Sequence, residues 1–185
     1  MDENVVIRLL QERYATRAIA VEPFAEEIVD ELSEAIRLTP SCYNNQPWRF
    51  LFCLSEAGRE KAIACLSAGN AKWAGRAPLL IIGYSAEADD CANPDGRKYH
   101  QFDLGMSVMS MLLAATTRRL VARPMAGFNP AKAKELFALP ESAQPLVMIA
   151  VGYPSADEDH LPEYARDLAR KPRLRKAAAE IVSRR

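Results

Sequence analysis

The sequence predicts one α+β domain, and three observations carry that prediction. At 185 residues and 20.5 kDa the chain is long enough to bury a core within a single domain spanning 1–185. Apolar runs of strand length occur at 48–54, 78–84 and 146–151. Segments with helical apolar spacing lie around them, so three or four strands are interspersed with many helices. Hydrophobic residues make up 49% and charged residues 26%, as in an ordinary globular domain.

The elements follow in order. Val5, Val6, Leu9 and Leu10 recur at helical spacing and predict a helix over 4–13, followed by the cluster Arg13-Tyr14-Ala15-Thr16-Arg17. Ile28, Leu32, Ala35, Ile36 and Leu38, with acids between them, predict an amphipathic helix over 25–39 that Pro40 stops. A loop rich in proline and side-chain amides, Pro40 to Trp48, leads into the first strand. A helix over 56–66, a short polar or helical segment over 69–76 and a second strand come next. Residues 85–96, with three aspartates, a glutamate, a proline and a glycine, predict a surface loop. Apolar residues distributed around the circumference of 101–117 predict a central buried helix. Pro124 to Phe128 reads as a compact loop, Asn129-Pro130 as the start of a helix to about Phe137, and Gly152 as the close of the third strand. The tail, 157–185, is polar; a helix over 174–182 would expose much of its surface on an isolated chain, which suits a position across a partner.

Several function classes lose support. Lys and Arg total 24, and so do Asp and Glu, a balance that does not favour nucleic-acid binding. Asp2 and Glu3 open the chain without the basic start of a signal peptide, and no apolar run reaches membrane-spanning length, so no membrane partner and a cytoplasmic location are expected. Cys42, Cys53, Cys65 and Cys91 lie 11, 12 and 26 residues apart, with only His100 and His160 as imidazoles. That spacing predicts no metal site, and ordinary reduced thiols rather than a disulfide framework. Neither Gly-x-Gly-x-x-Gly nor Gly-x-x-x-x-Gly-Lys-Ser/Thr occurs, and no Gly-x-Ser-x-Gly elbow supports a hydrolase.

Three constellations carry possible chemistry, each with a bland counterpart. Arg13 and Arg17 are four apart and share a face if the helix continues, where they could hold a phosphate; on spacing alone a solvated helix end is the stronger explanation. Asn44, Asn45 and Gln46 offer donors and acceptors to a ligand, or else satisfy their own backbone. Pro124-Met125-Ala126-Gly127-Phe128 has no catalytic side chain, so its contribution to a site would be backbone N–H; a turn between buried helices is the alternative. Cys42 follows a helix C-terminus, a field that disfavours a thiolate nucleophile. A bound cofactor is therefore the expected carrier of any difficult chemistry.

These segments, with Trp73, Ala77-Pro78, Asp103-Leu104-Gly105 and Ala150-Val151-Gly152-Tyr153-Pro154, resemble in order the nitroreductase family of FMN-dependent oxidoreductases over about residues 5–154. The resemblance implies a nitroreductase-like α+β fold with a central, mainly antiparallel sheet and a dimer-forming C-terminal extension. It implies a homodimer with FMN at the subunit interface. Arg13 matches the family's flavin-phosphate arginine and Arg17 its second basic position, while Tyr14 and Ala15 occupy places where a polar or basic residue and a serine are frequent. Pro40, Ser41 and Cys42 match the segment bordering the isoalloxazine, contributed by the partner subunit, and Asn44 matches an asparagine that bonds the flavin. Met125, Ala126 and Gly127 match the segment over the other side of the ring, with Ala126 replacing a frequent acid. Lys171, Arg173 and Arg175 are candidates for the C-terminal phosphate contact, Arg173 being preferred.

The implied reaction is ping-pong: NADH or NADPH gives hydride to the flavin and leaves, and a nitroaromatic, quinone, activated alkene or other small acceptor takes its place. No protein side chain is then required as the catalyst. The alternative is a flavin-binding or interaction protein with little turnover, suggested by Ala15, Ala126 and the irregular tail.

Overall fold

Two strands buried on both faces form the middle of the sheet. They are β2 (Leu79–Ala86) and β4 (Ala143–Gly152), flanked by β1 (Trp48–Cys53) and β3 (Val121–Met125) in the order β1-β2-β4-β3, every pair antiparallel. The computed structural model describes residues 4–185, so the reading of Asp2 and Glu3 falls outside the described residues.

Alternation along the strands divides the core into two layers. Leu80, Ile82, Val121, Met125, Met148 and Ala150 face the layer of α3 (Glu56–Cys65), α4 (Ala68–Ala74) and α6 (Pro130–Leu136). Leu79, Ile81, Ala122, Ile149 and Val151 face α2 (Glu26–Arg37) and α5 (His100–Thr117). The central burial expected of 101–117 is present, since α5 buries residues from His100 through Ala115. Its circumference is apolar because the sheet lies on one side and α2 on another.

Local chemistry sets the helix starts. The Asn4 side chain caps α1 (Val5–Glu12), Ser55 caps α3, and Asn129 caps α6 with Pro130 in the first turn. At Gly152 a Cβ would lie 2.6 Å from Cγ2 of Ile19 and 2.8 Å from Cδ of Pro78, so closing β4 against these residues requires glycine.

The structure departs from the sequence reading in four places. Pro124 and Met125 belong to β3, and the connection after it is shortened to Ala126 and Gly127. A proline is tolerated there because β3 is an edge strand. The tail forms α7 (Glu163–Arg170), with Leu161 and Ala165 buried on the chain's own core, while α8 covers only Ala178–Ile181. The helix expected over 4–13 ends at Glu12, so Arg13 to Arg17 is not helical. Finally, Cys42 and Cys91 form a disulfide, and only Cys53 and Cys65 are free thiols. The pairing follows from topology: Trp48 of β1 is opposite Ser85 of β2, so the segment entering β1 and the segment leaving β2 emerge at the same end of the sheet.

Candidate functional site

Arg13 to Arg17, Arg123 and the segment 168–175 enclose a cleft of about 380 Å³. Six cationic side chains line it, from Arg13, Arg17, Arg123, Lys171, Arg173 and Arg175, and among the described residues no carboxylate does. Such a wall selects an anion, and the guanidinium fork suits phosphate oxygens. Arg13 and Arg17 therefore converge without a helical face. Arg13 is the C-cap of α1, its N–H donating to the Leu9 carbonyl at 2.8 Å. Arg17 lies 6.0 Å from the rings of both Trp73 and Tyr164.

Arg123 was not signalled by any sequence motif. Its guanidinium lies 5.3 Å from the Trp73 ring and donates to the Ala15 carbonyl. Burial, then the neighbouring charge of Arg17, pushes its pKa down to about 10. Arg13 is lowered too, by burial first and then by Arg173 and Arg175. Both shifts describe positive charges crowded together, a condition that a bound dianion relieves.

Arg173 has a second task. It donates to the carbonyls of Leu10, Gln11 and Arg13 at 2.8, 2.8 and 2.9 Å, closing the C-terminal end of α1. Two N–H donors of its five remain for a ligand. Arg175 bonds only the carbonyl of its neighbour Leu174. The Tyr14 hydroxyl donates to the Ala169 carbonyl at 3.1 Å, so Tyr14 fastens the tail over the cleft. Ala15 contributes its carbonyl to Arg123.

Met125 ends β3 two residues beyond Arg123 on the same sheet face. The Gly127 carbonyl accepts from Ser67 N–H and from Asn70 Nδ2, both at 2.9 Å, and a Cβ there would stand 2.7 Å from Nδ2 of Asn70. Glycine lets α4 close on the loop. Among the described residues, the N–H groups of Ala126 and Gly127 have no protein acceptor. These outward donors fit the backbone role expected of the segment.

The Pro40–Pro47 loop stands elsewhere. It enters β1 at one edge of the sheet, whereas Arg123 and Met125 are on β3 at the other, with β2 and β4 between. At about 4.8 Å per strand the edges are roughly 14 Å apart. Pro40, Ser41, Cys42 and Asn44 therefore do not join the cationic cleft of their own chain. Much of the loop is internally bonded: Gln46 N–H donates to Oγ of Ser41 at 2.9 Å, and Gln46 Nε2 donates to the Asn44 carbonyl at 3.1 Å. Tyr43, Asn44 and Gln46 all have positive φ, at 50°, 57° and 48°. Tyr43 is 86% exposed at its tip.

An antiparallel sheet between two helical layers, with a cationic cleft beside its β3 edge, defines an α+β domain. The nitroreductase family profile matches residues 53–153. The chain belongs to the nitroreductase family, whose fold is that of FMN-dependent oxidoreductases. It is 27% identical to the FMN reductase [NAD(P)H] of Bacillus subtilis, over 88% of this chain and 72% of that protein. Among solved structures it superposes with a TM-score of 0.83 on an oxidoreductase containing FMN, at 26% identity over 95% of this chain and 89% of the other. A nitroreductase family protein of Clostridium difficile 630 gives a TM-score of 0.79, with 25% identity and 96% of both chains covered. Among the described residues no helix is long and apolar enough to cross a membrane.

Proposed function

We propose that the protein is an FMN-dependent NAD(P)H oxidoreductase that works as a homodimer. The observation that carries this reading is the cationic cleft, lined by six basic side chains, next to N–H groups of Ala126 and Gly127 that have no acceptor among the described residues. Arg13, Arg17 and Arg123 hold the phosphate, with Arg173 or Arg175 closing it from the tail; Tyr14 and Ala15 shape the wall. Met125, Ala126 and Gly127 hold one edge of the ring system. FMN, when bound, supplies a two-electron carrier that serves NAD(P)H and a small acceptor in turn by a ping-pong sequence.

The protein's own groups bind and orient. Because Pro40, Ser41, Cys42 and Asn44 lie at the far sheet edge, they complete the site of a second chain rather than their own. The exposed apolar residues of α1 and the exposed α8 suit that assembly.

Purified protein is expected to be yellow, with bound-flavin bands near about 370 and 450 nm. Anaerobic NADH or NADPH should bleach the longer-wavelength band, and a quinone or nitroaromatic should restore it. Protein that neither retains nor takes up FMN overturns the assignment. Bound flavin that stays oxidised with both nucleotides supports instead a flavin-binding protein without turnover.

A further inference from the structure

We propose that the Cys42–Cys91 disulfide is a thiol-responsive latch that sets the conformation of the Pro40–Pro47 loop, and through it the tightness of flavin binding. The second half of this inference rests on the flavin reading above; the first does not.

The latch joins two loops that nothing else ties covalently. Cys42 and Cys91 are 49 residues apart in sequence, and their Cα atoms are 5.9 Å apart. On one side is a loop with three non-glycine residues at positive φ. Such backbone persists only where its surroundings over-determine it. Within the loop, Asn44 and Asn45 N–H donate to the Ser41 and Cys42 carbonyls, and Gln46 bonds Ser41 and Asn44. What ties that folded loop to the rest of the chain on the α5 side is the disulfide and the Cys42 N–H, which donates to Oδ2 of Asp103 at 3.1 Å. On the other side, Asp90 accepts the N–H groups of Cys91 and Tyr99, both at 2.7 Å, fixing Cys91 to the entry of α5.

Beneath the bridge are polar groups that an apolar anchor would not require. Asp103 is 1% exposed and His100 is fully buried, yet Oδ1 of Asp103 and Nε2 of His100 have no partner among the described residues. Asp103 is thus a positioning residue that holds the Cys42 N–H through Oδ2, leaving Oδ1 unpartnered beside the bridge. The remaining thiols do not compete: Cys53 and Cys65 are buried, and burial lifts Cys53 to about 11. In reducing compartments a disulfide of this kind is catalytic or redox-sensing rather than structural.

The exchange step balances with a dithiol as reductant. Its thiolate attacks Sγ of Cys42, the partly exposed partner, and expels the Cys91 thiolate. Its second sulfur then displaces Cys42, leaving a cyclic disulfide, while the two protons of the dithiol end on Cys42 and Cys91.

The test uses the full chain in oxidised form and after dithiothreitol, with Cys91→Ser as a permanently open form. Native alkylation read by mass should add two labels after reduction, on Cys42 and Cys91. Amide exchange over 41–46 should accelerate at least tenfold in the reduced protein and in Cys91→Ser, and the Kd for FMN should rise at least fivefold in both. Equal exchange in oxidised and reduced protein overturns the latch, as does an oxidant-treated protein in which Cys42 and Cys91 remain alkylatable. Accelerated exchange with an unchanged FMN Kd overturns the coupling to flavin. Accelerated exchange in a protein that binds no FMN in either form supports the latch and rejects the cofactor reading.

Discussion

Arg123 holds its charge in partial burial beside Arg17, and its pKa falls to about 10 for those reasons in that order. A cation whose folded pKa lies below its unfolded value opposes folding while both states are charged. Stability should accordingly rise as pH climbs from about 10 toward the ordinary guanidinium value, where the unfolded chain binds more protons than the folded one. A phosphate in the cleft removes that opposition. Arg123→Met is therefore expected to leave the melting temperature of the FMN-free protein unchanged or higher, while weakening FMN roughly 10- to 100-fold through loss of a charge-assisted bond. Melting scans with and without FMN check both halves; an equal FMN-induced rise in parent and variant contradicts the assignment. Arg13→Ala should cost about 1.5–3 kcal/mol of FMN binding by the same reasoning, measured by fluorescence titration. The two arginines differ in legibility. Arg13 and Arg17 stand together in one short run, whereas Arg123 owes its place to an Ala15 carbonyl 108 residues away and to the Trp73 ring. Nothing local in Ala122-Arg123-Pro124 announces that meeting.

Among the elements, β2 and β4 were readable because burial on both faces leaves an unbroken apolar run. Strand β3 was not, since a charge and a proline interrupt its five residues, and only an edge position with a cleft alongside tolerates both. Helix α7 was hidden similarly: Leu161 and Ala165 are the buried residues of an otherwise polar stretch, too few to set a period. The disulfide was invisible for a topological reason, because cysteine spacing carries no information until β1 is known to pair antiparallel with β2. Gly152 shows the same dependence on packing. Placing a methyl 2.6 Å from Ile19 and 2.8 Å from Pro78 forces the N-terminal segment away from β4, since a proline ring and a buried isoleucine have little room to move. Gly152→Ala is expected to destabilise the fold by about 1–3 kcal/mol in urea titration. Gly127→Ala meets the ends of two side chains instead, Asn70 and Ser67, and should cost less stability. A larger loss at Gly127 than at Gly152 would contradict this ordering.

At the scale of the whole molecule, the two sets of residues that the family resemblance assigns to the flavin lie at opposite sheet edges of one chain. In the proposed homodimer each chain would give the cationic cleft to one site and the Pro40–Pro47 loop to the other. Helix α1 suits the seam: it has no buried residue in its own chain, and Val5 and Val6 are 53% and 51% exposed immediately before the Arg13 cluster. Linkage then requires FMN and assembly to reinforce each other, because a ligand that contacts both chains binds the dimer more tightly than the monomer. Val6→Lys tests this with little disturbance of the core, since Val6 is 51% exposed and belongs to neither buried core cluster. The variant is expected to keep the parent's helical content, to sediment as a monomer at concentrations where the parent is a dimer, and to bind FMN at least about tenfold more weakly, a coupling of roughly 1.4 kcal/mol. Excess FMN should draw it back toward dimer. A monomeric variant with the parent's FMN affinity would show instead that the cationic cleft of one chain is a complete site and that the Pro40–Pro47 loop serves another purpose.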